Sequence, residues 1–462
     1  MSAKPKQKLA SAPAVVGATP VVTAATPLRE PARALSTDLK GSLRLLTCGS
    51  VDDGKSTLLG RLLWDASDLY DDQRATIERS GKTAGDGVNP DFSLLVDGLV
   101  AEREQGITID IAWRYFDTAT RRIVVIDSPG HEQYTRNMAS GASHADAAIM
   151  LVDARSGLKR QTRRHAAILQ LVGLKRVVLA VNKMDLVDWS QDEFRAIESD
   201  FHDLAWSCGF EAALAIPVAA PSGDNIARRS AKMPWYKGPT LLEHLEGLPS
   251  RVSDASGPFR LAVQTVLRDG RDFRGLAGTI SSGSIKVGDT IVDGLSGQRA
   301  RVARIVTMDR DLKQASVGQA VTIQPDRDLD IARGAVLSAP GYEPVAATDI
   351  TARLVWMSET AYDPRAGYLL RSATDLVPVA DLAITALLDL EALETRAGST
   401  CAVNDIADAH IRLGRPTALD LFQAEAATGS FLLVDAVSGA TVAGGVVTRA
   451  GSEGAENAEG AF

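Results

Sequence analysis

Little in this 462-residue chain suits a secreted, membrane-spanning or nucleic-acid-coating protein. It has only three cysteines, Cys48, Cys208 and Cys401, widely spaced and odd in number. They offer neither a disulfide framework nor metal-ligand spacing, and this usage fits a reducing cytosol, so a cytoplasmic location is expected. No apolar run approaches the roughly 20 residues a spanning helix needs, so no membrane partner is expected. Basic residues are outnumbered, 50 Lys and Arg against 58 Asp and Glu, for a net charge of −8. That balance argues against broad nucleic-acid binding while leaving room for a local basic site. The first 40 residues lack a continuous apolar core, being broken by Pro13, Pro20 and Pro27, and arginine is scarce there. A secretory signal is therefore not expected, and an organellar transit peptide stays open as the weaker reading; residues 1–40 read as a disordered tail, and the small, acidic residues 451–462 as a frayed end.

What is present begins with residues 43–57, LRLLTCGSVDDGKST. A short apolar run leads into Gly49-x-x-x-x-Gly54-Lys55-Ser56, the pattern of a strand entering a glycine-rich phosphate loop. Inward-facing backbone N–H groups cradle the anion, Lys55 reaches the terminal phosphates and the Ser56 hydroxyl ligates Mg²⁺. Nucleotide contacts are expected from Gly49, Ser50, Val51, Asp52, Asp53, Gly54, Lys55, Ser56 and Thr57. By contrast Gly81, Lys82 and Thr83 lack the leading glycine, with Thr76 in its place, and follow no strand.

Two further signatures follow in order. RRIVVIDSPGH puts Asp127 and Gly130 just past a β-branched run at residues 123–126. Such an aspartate holds Mg²⁺ through water, and the glycine N–H donates to the γ-phosphate. RVVLAVNKMD delivers Asn182, Lys183 and Asp185 at the end of a second buried run, residues 177–181. The Asp185 carboxylate can accept the N1–H and 2-amino donors of guanine, which adenine lacks, and so selects GTP over ATP. Lys183 would lie along the purine ring. Alone, either segment also suits a strand-to-turn link or a helix cap. All three together, each just past a buried strand, converge on one crevice of an open parallel sheet and bind GTP.

The residues between the motifs carry a resemblance. Glu102 to Ile109, EREQGITI, resembles the first switch of translation-factor GTPases, which implies that Thr108 backs onto Mg²⁺ and the γ-phosphate. His131, after Gly130, matches the histidine that orients the attacking water in that superfamily, and Val51 and Ile107 match its two apolar gate positions. The catalytic set implied is His131, Lys55 and Thr108. Elongation factors usually read GHVDHGK where this loop reads GSVDDGK. With residues 94–116, 128–143 and 272–289, the chain closely resembles the large GTP-binding subunits of bacterial ATP:sulfate adenylyltransferases, over about residues 41–445. One departure stands out: the last guanine-contacting element, usually Ser-Ala-Leu, reads Ala219, Ala220, Pro221 here. The Ala220 N–H can still reach guanine O6, but a bracing hydroxyl is missing.

The resemblance implies a GTPase coupled to formation of adenosine 5′-phosphosulfate and pyrophosphate from ATP and sulfate. It also implies a smaller catalytic subunit carrying the ATP and sulfate site, in a heteromer. The six histidines, His131, His144, His165, His202, His244 and His410, form no close pair of the kind adenylyl transfer commonly uses. That chemistry is accordingly expected on the other polypeptide. No second phosphate loop follows Gly54, so the fused kinase some relatives carry is not expected. Two alternatives stay open: an elongation factor delivering aminoacyl-tRNA, and a GTP switch without coupled turnover.

Hydrophobic content of 45% with 23% charged residues is ordinary for a globular chain, and the length calls for two or three cores. Residues 41–250 alternate buried strands with helices, near 55–64 and 162–172, as a doubly wound, mainly parallel α/β P-loop domain does. Residues 253–258 read as a linker. Short alternating runs with glycine turns then predict two all-β barrels, residues 257–345 and 346–450. The expected strands are 259–267, 277–281, 286–292, 299–307 and 320–323, then 349–357, 380–388 and 431–435. Residues 402–413 are ambiguous between helix and strand.

Overall fold

The structure, a computed structural model, describes residues 41–66, 90–96, 108, 110–118, 120–249, 257–270 and 273–451. The expected tails at 1–40 and 452–462, the segment 81–83, most of the linker, Ile107, Ile109 and the switch residues 102–106 lie outside them.

Six strands form the first sheet, in the order β2-β3-β1-β4-β5-β6. They are β1 (Leu43–Gly49), β2 (Ala112–Asp117), β3 (Arg122–Asp127), β4 (Ala147–Asp153), β5 (Arg176–Asn182) and β6 (Ala212–Pro217). All pairings are parallel except β2 with β3. The inner strands read as nearly continuous apolar runs because both of their faces are covered. Alternate residues serve opposite faces. Leu43, Leu45, Ile123, Val125, Ile149 and Ala180 pack under helices α1 (Lys55–Ala66) and α5 (Leu241–Gly247). Leu46, Cys48, Ile126, Met150, Leu179 and Val181 pack under α2 (Thr135–Ser143), α3 (Arg160–Leu171) and α4 (Gln191–Ser207). The chain leaves β1 toward β3 on one side and β4 on the other. The carboxyl end of β1 is therefore the switch point of the sheet, where such folds bind ligands.

Two closed six-stranded antiparallel rings follow. The first runs through Arg260–Ala262, Phe273–Ser282, Ala320–Pro325, Arg299–Val306, Thr290–Asp293 and Val336–Ser338, and back to its start. The second runs through Val345–Trp356, Ile406–Leu419, Leu376–Leu388, Tyr368–Arg371, Ser430–Asp435 and Thr441–Gly451. The run expected at 286–292 breaks into Ser284–Lys286 and Thr290–Asp293, because Gly288 turns the chain at φ +93°. The ambiguous segment 402–413 is a turn over 402–405, left-handed at Asn404, and strand from Ile406 onward, part of Ile406–Leu419, whose exposed His410 and Arg412 alternate with buried Ile411 and Leu413.

The second ring also packs on the α/β part. Its Val355, Leu390, Ile406 and Val446 join the core beneath α3 and α4, and the Phe422 ring lies against Gly173. Arg136 of α2 donates to the Met357 carbonyl at 2.7 Å, and Asn404 donates to the Glu132 carbonyl at 2.9 Å. Between the two rings, Arg260 and Asp420 form a buried ion pair at 2.8 Å, and Asp420 also accepts from Thr428 Oγ1. Removing one partner of such a pair strands the other charge out of water, at about 3 kcal/mol or more. Asp420→Ala is expected to destabilise the chain by that order in a chemical denaturation series. An unchanged midpoint would mean Arg260 reaches solvent.

Candidate functional site

Three loops meet at the carboxyl ends of β1, β3 and β5. The phosphate loop, residues 49–55, is shaped by two glycines. A Cβ on Gly49 would lie 3.0 Å from Leu151 Cβ, and one on Gly54, whose φ is +89°, would lie 2.5 Å from Asn182 Nδ2. At Gly54 only glycine fits both the conformation and the space. Gly130 is constrained by space alone, since a Cβ would come within 2.3 Å of the Gly49 carbonyl. The loop after β3 thus lies directly on the phosphate loop.

Lys55 begins α1 and is buried beneath this junction. Its Nζ donates to Thr108 Oγ1 at 2.7 Å and stands 3.4 Å from Asp127 Oδ1. Asp127 also accepts from Thr47 Oγ1 at 3.0 Å. Lys55, Thr108 and Asp127 thus lie at one point although they are far apart in sequence, with Ser56 beside Lys55 in the first turn of α1 and Thr57 next to it. His131 caps the short helical turn Glu132–Tyr134, its Nδ1 accepting from Gln133 N at 3.3 Å. Val51 and Asp52 form the exposed rim of the loop, and Asp52 itself is left-handed at φ 68°.

At the other end Asn182 joins the three loops. Its Nδ2 donates to the Asp53 carbonyl at 2.9 Å and its Oδ1 accepts from Ala220 N at 3.1 Å. The Ala220 N–H, expected to face guanine, is engaged by Asn182 here. Lys183 is left-handed at φ 64°; its ammonium donates to the Asp52 carbonyl and pairs with Asp153 at 3.0 Å. Asp185 Oδ1 is buried and has no hydrogen-bond partner among the described residues; nor does Ser50 Oγ. Ala219, fully buried beside them, has no hydroxyl to offer. Each such atom calls for a polar partner. For Asp185 the N1–H and 2-amino donors of guanine are fitting ones.

Several residues at the site carry no motif of their own. Thr47 lies inside β1. Asp153 ends β4, and its acidity is strengthened by the Arg155 guanidinium, which binds it through two nitrogens, and by Lys183. Lys159, Gln161, Arg164 and His165 come from the start of α3. Gln161 Nε2 lies 3.4 Å from the Gly130 carbonyl, and Arg164 pairs with Glu132 at 2.9 Å. The i, i+3, i+4 spacing of 161, 164 and 165, behind Lys159 at the N-cap, marks a helix face pointing at the site, visible only once the helix is known to lie there.

Fold and site together define a P-loop GTPase of the translation-factor type, a GTP-binding α/β part followed by two β-barrels. Residues 40–267 match the Elongation factor Tu GTP binding domain family, and residues 349–448 the GTP-eEF1A C-terminal domain-like family. The sulfate adenylyltransferase subunit 1 of Colwellia psychrerythraea (strain 34H / ATCC BAA-681) is 43% identical over 418 residues, 90% of this chain and 90% of its own length. That of Methylorubrum populi is 47% identical over 88% of this chain and 87% of its own. The chain belongs to the sulfate adenylyltransferase subunit 1 family. It is also similar to bifunctional enzyme NodQ of Azospirillum brasilense, at 49% identity, and of Rhizobium sp. (strain N33), at 46%. The chain spans 66% and 63% of the lengths of those two relatives. A solved structure of sup35 complexed with GMPPNP superposes on 89% of this chain at 24% identity and a TM-score of 0.41, too loosely to carry argument.

Two outcomes follow from this geometry. Asp185→Asn is expected to move base preference from GTP toward xanthosine triphosphate, which offers an acceptor where guanine offers a donor; competition binding that still ranks GTP first would remove Asp185 from the base site. The second concerns pH. Burial, with Arg164 and Lys55 nearby, lowers the His165 pKa from 6.5 to about 3. The unfolded chain takes up this proton near pH 6.5 and the folded chain does not. His165 therefore costs stability as pH falls from 6.5 toward 3, at up to roughly 1.4 kcal/mol per pH unit. His165→Gln should flatten that limb of a stability–pH curve; an identical slope would mean the folded protein protonates His165.

Proposed function

We propose that this chain is the GTPase subunit of a heteromeric sulfate adenylyltransferase. It couples GTP hydrolysis to synthesis of adenosine 5′-phosphosulfate and pyrophosphate from ATP and sulfate. The adenylyl-transfer site lies on a smaller catalytic subunit. The observation that supports this most is the three-loop crevice with its orphaned Asp185 carboxylate, in a chain of the sulfate adenylyltransferase subunit 1 family. Among the described residues no helix is long and apolar enough to cross a membrane. The proposed setting is the cytoplasm, in a heteromer with that smaller subunit.

The phosphate end supplies positioning and electrostatics. Lys55 neutralises the β- and γ-phosphate oxygens, and backbone N–H groups of residues 53–56 cradle them. Hydroxyls of Ser56 and Thr108 and the Asp127 carboxylate are hard oxygen donors and fit Mg²⁺, with Asp127 acting through water. Bound there, the ion would offset charge that develops on the phosphates. His131 orients the attacking water, leaving its place as the cap of the Glu132–Tyr134 turn. Asp185 and Lys183 fix the guanine, and Asn182 holds their loop to the phosphate loop.

Lys55→Ala is expected to abolish GTP binding. His131→Ala should leave binding near the parent value and slow hydrolysis by about 10²-fold or more, as a lost water-positioning group does. Hydrolysis at the parent rate in a single-turnover assay would take His131 out of the mechanism. For the whole function, the test is to purify the chain from its host with its bound protein and to assay GTP hydrolysis with and without ATP and sulfate. Stimulation by both together is expected. Turnover indifferent to sulfate would refute the coupling.

A further inference from the structure

The phosphate loop contains a carboxylate close to where a triphosphate concentrates negative charge. Asp53 immediately precedes Gly54 and Lys55, and its side chain is fully buried. One oxygen accepts from Ser50 N at 2.7 Å, which closes the loop on itself. The other accepts from Lys159 Nζ at 2.9 Å, across 106 residues of sequence. Burial holds the Asp53 pKa above its ordinary value even though the Lys159 ammonium and the Ser50 N–H oppose the rise, and Asp153 adds a second negative charge nearby. A buried, uncompensated carboxylate here would repel phosphate at the place the loop exists to bind it.

Lys159 sits at the N-cap of α3, the helix whose next turn reaches the other side of the site. Gln161 donates toward the Gly130 carbonyl and Arg164 holds Glu132, the neighbour of His131. The base of α3 therefore contacts both the phosphate loop and the loop after β3.

We propose that Lys159 is a positioning residue for the nucleotide: by pairing with Asp53 it cancels the carboxylate's repulsion of the triphosphate and ties the phosphate loop to the base of α3. This rests on the GTP reading of the same site. The repulsion grows with phosphate charge, so GTP depends on the pair more than GDP does.

The test is titration calorimetry with GTP and GDP, each with magnesium, on the parent, Lys159→Met, Asp53→Asn, the double variant and Lys159→Arg. Lys159→Met should weaken GTP binding by roughly tenfold or more and GDP binding less, because it strands the buried Asp53 carboxylate that the half-buried Lys159 ammonium neutralises. Adding Asp53→Asn to Lys159→Met should restore GTP affinity to within about threefold of the parent, because the stranded charge is gone. Lys159→Arg should stay near the parent. Thermal melting of each variant identifies any that fail to fold, and the charge-free double variant keeps the test decisive if Lys159→Met does. Parent-like GTP binding by Lys159→Met would overturn the proposal. So would equal losses of GTP and GDP that Asp53→Asn does not restore, the mark of a purely structural staple. A parent chain that binds no GTP would overturn the GTP reading itself, and is distinguishable because no variant need be compared.

Discussion

The side-chain amide of Asn182 is the contact on which the site's geometry depends. It ends β5, donates to the phosphate loop through the Asp53 carbonyl and accepts from Ala220 N after β6. Both bonds are buried, where a polar group left unsatisfied costs about 1–3 kcal/mol. Neither loop can move away without incurring that cost, so the phosphate end and the base end keep a fixed separation. Gly54 has no side chain because the amide occupies that space. The parallel sheet delivers the loops, and Asn182 fixes their distance from one another.

The charges around this contact are arranged so that none is buried alone. Lys55 meets Thr108 and Asp127, Lys183 meets Asp153, and Lys159 meets Asp53. Asp185 Oδ1 has no hydrogen-bond partner among the described residues, and under the proposed function it meets the two donors of guanine. The second barrel reaches the same neighbourhood from outside. It bonds the Glu132 carbonyl through Asn404 and receives Arg136 at Met357. Under the proposed function, this contact carries the nucleotide state to the barrel, since loss of γ-phosphate contacts releases the segment after Asp127 in GTPases.

Much of this was legible in the sequence because each nucleotide motif sits directly after a run too apolar to be anything but an inner strand. The α/β fold and the positions of Lys55, Asp127 and Asn182 follow from that coupling of pattern and motif. The barrels were legible as two all-β blocks, but not in their strand boundaries: a turn at Gly288 divides one apolar run, and alanines at 407 and 409 mask the alternation of Ile406–Leu419. Thr47, Asp153 and Lys159 were not legible as site residues. Each is a common residue with no motif of its own, and the partner that ties it to the site (Asp127, Lys183 or Asp53) lies tens of residues away. The bond between Ala220 and Asn182 was hidden for the same reason, since backbone donors leave no trace in composition.

Selection of guanine over adenine at the three-loop crevice is the central claim. Titration calorimetry of the purified chain with GTP and with ATP, each with magnesium, tests it most directly. The account predicts saturable heat with GTP and affinity for ATP weaker by about 10²-fold or more, the scale of discrimination when buried polar groups are left unpaired. Equal affinity for the two nucleotides, or no heat with GTP, would contradict it.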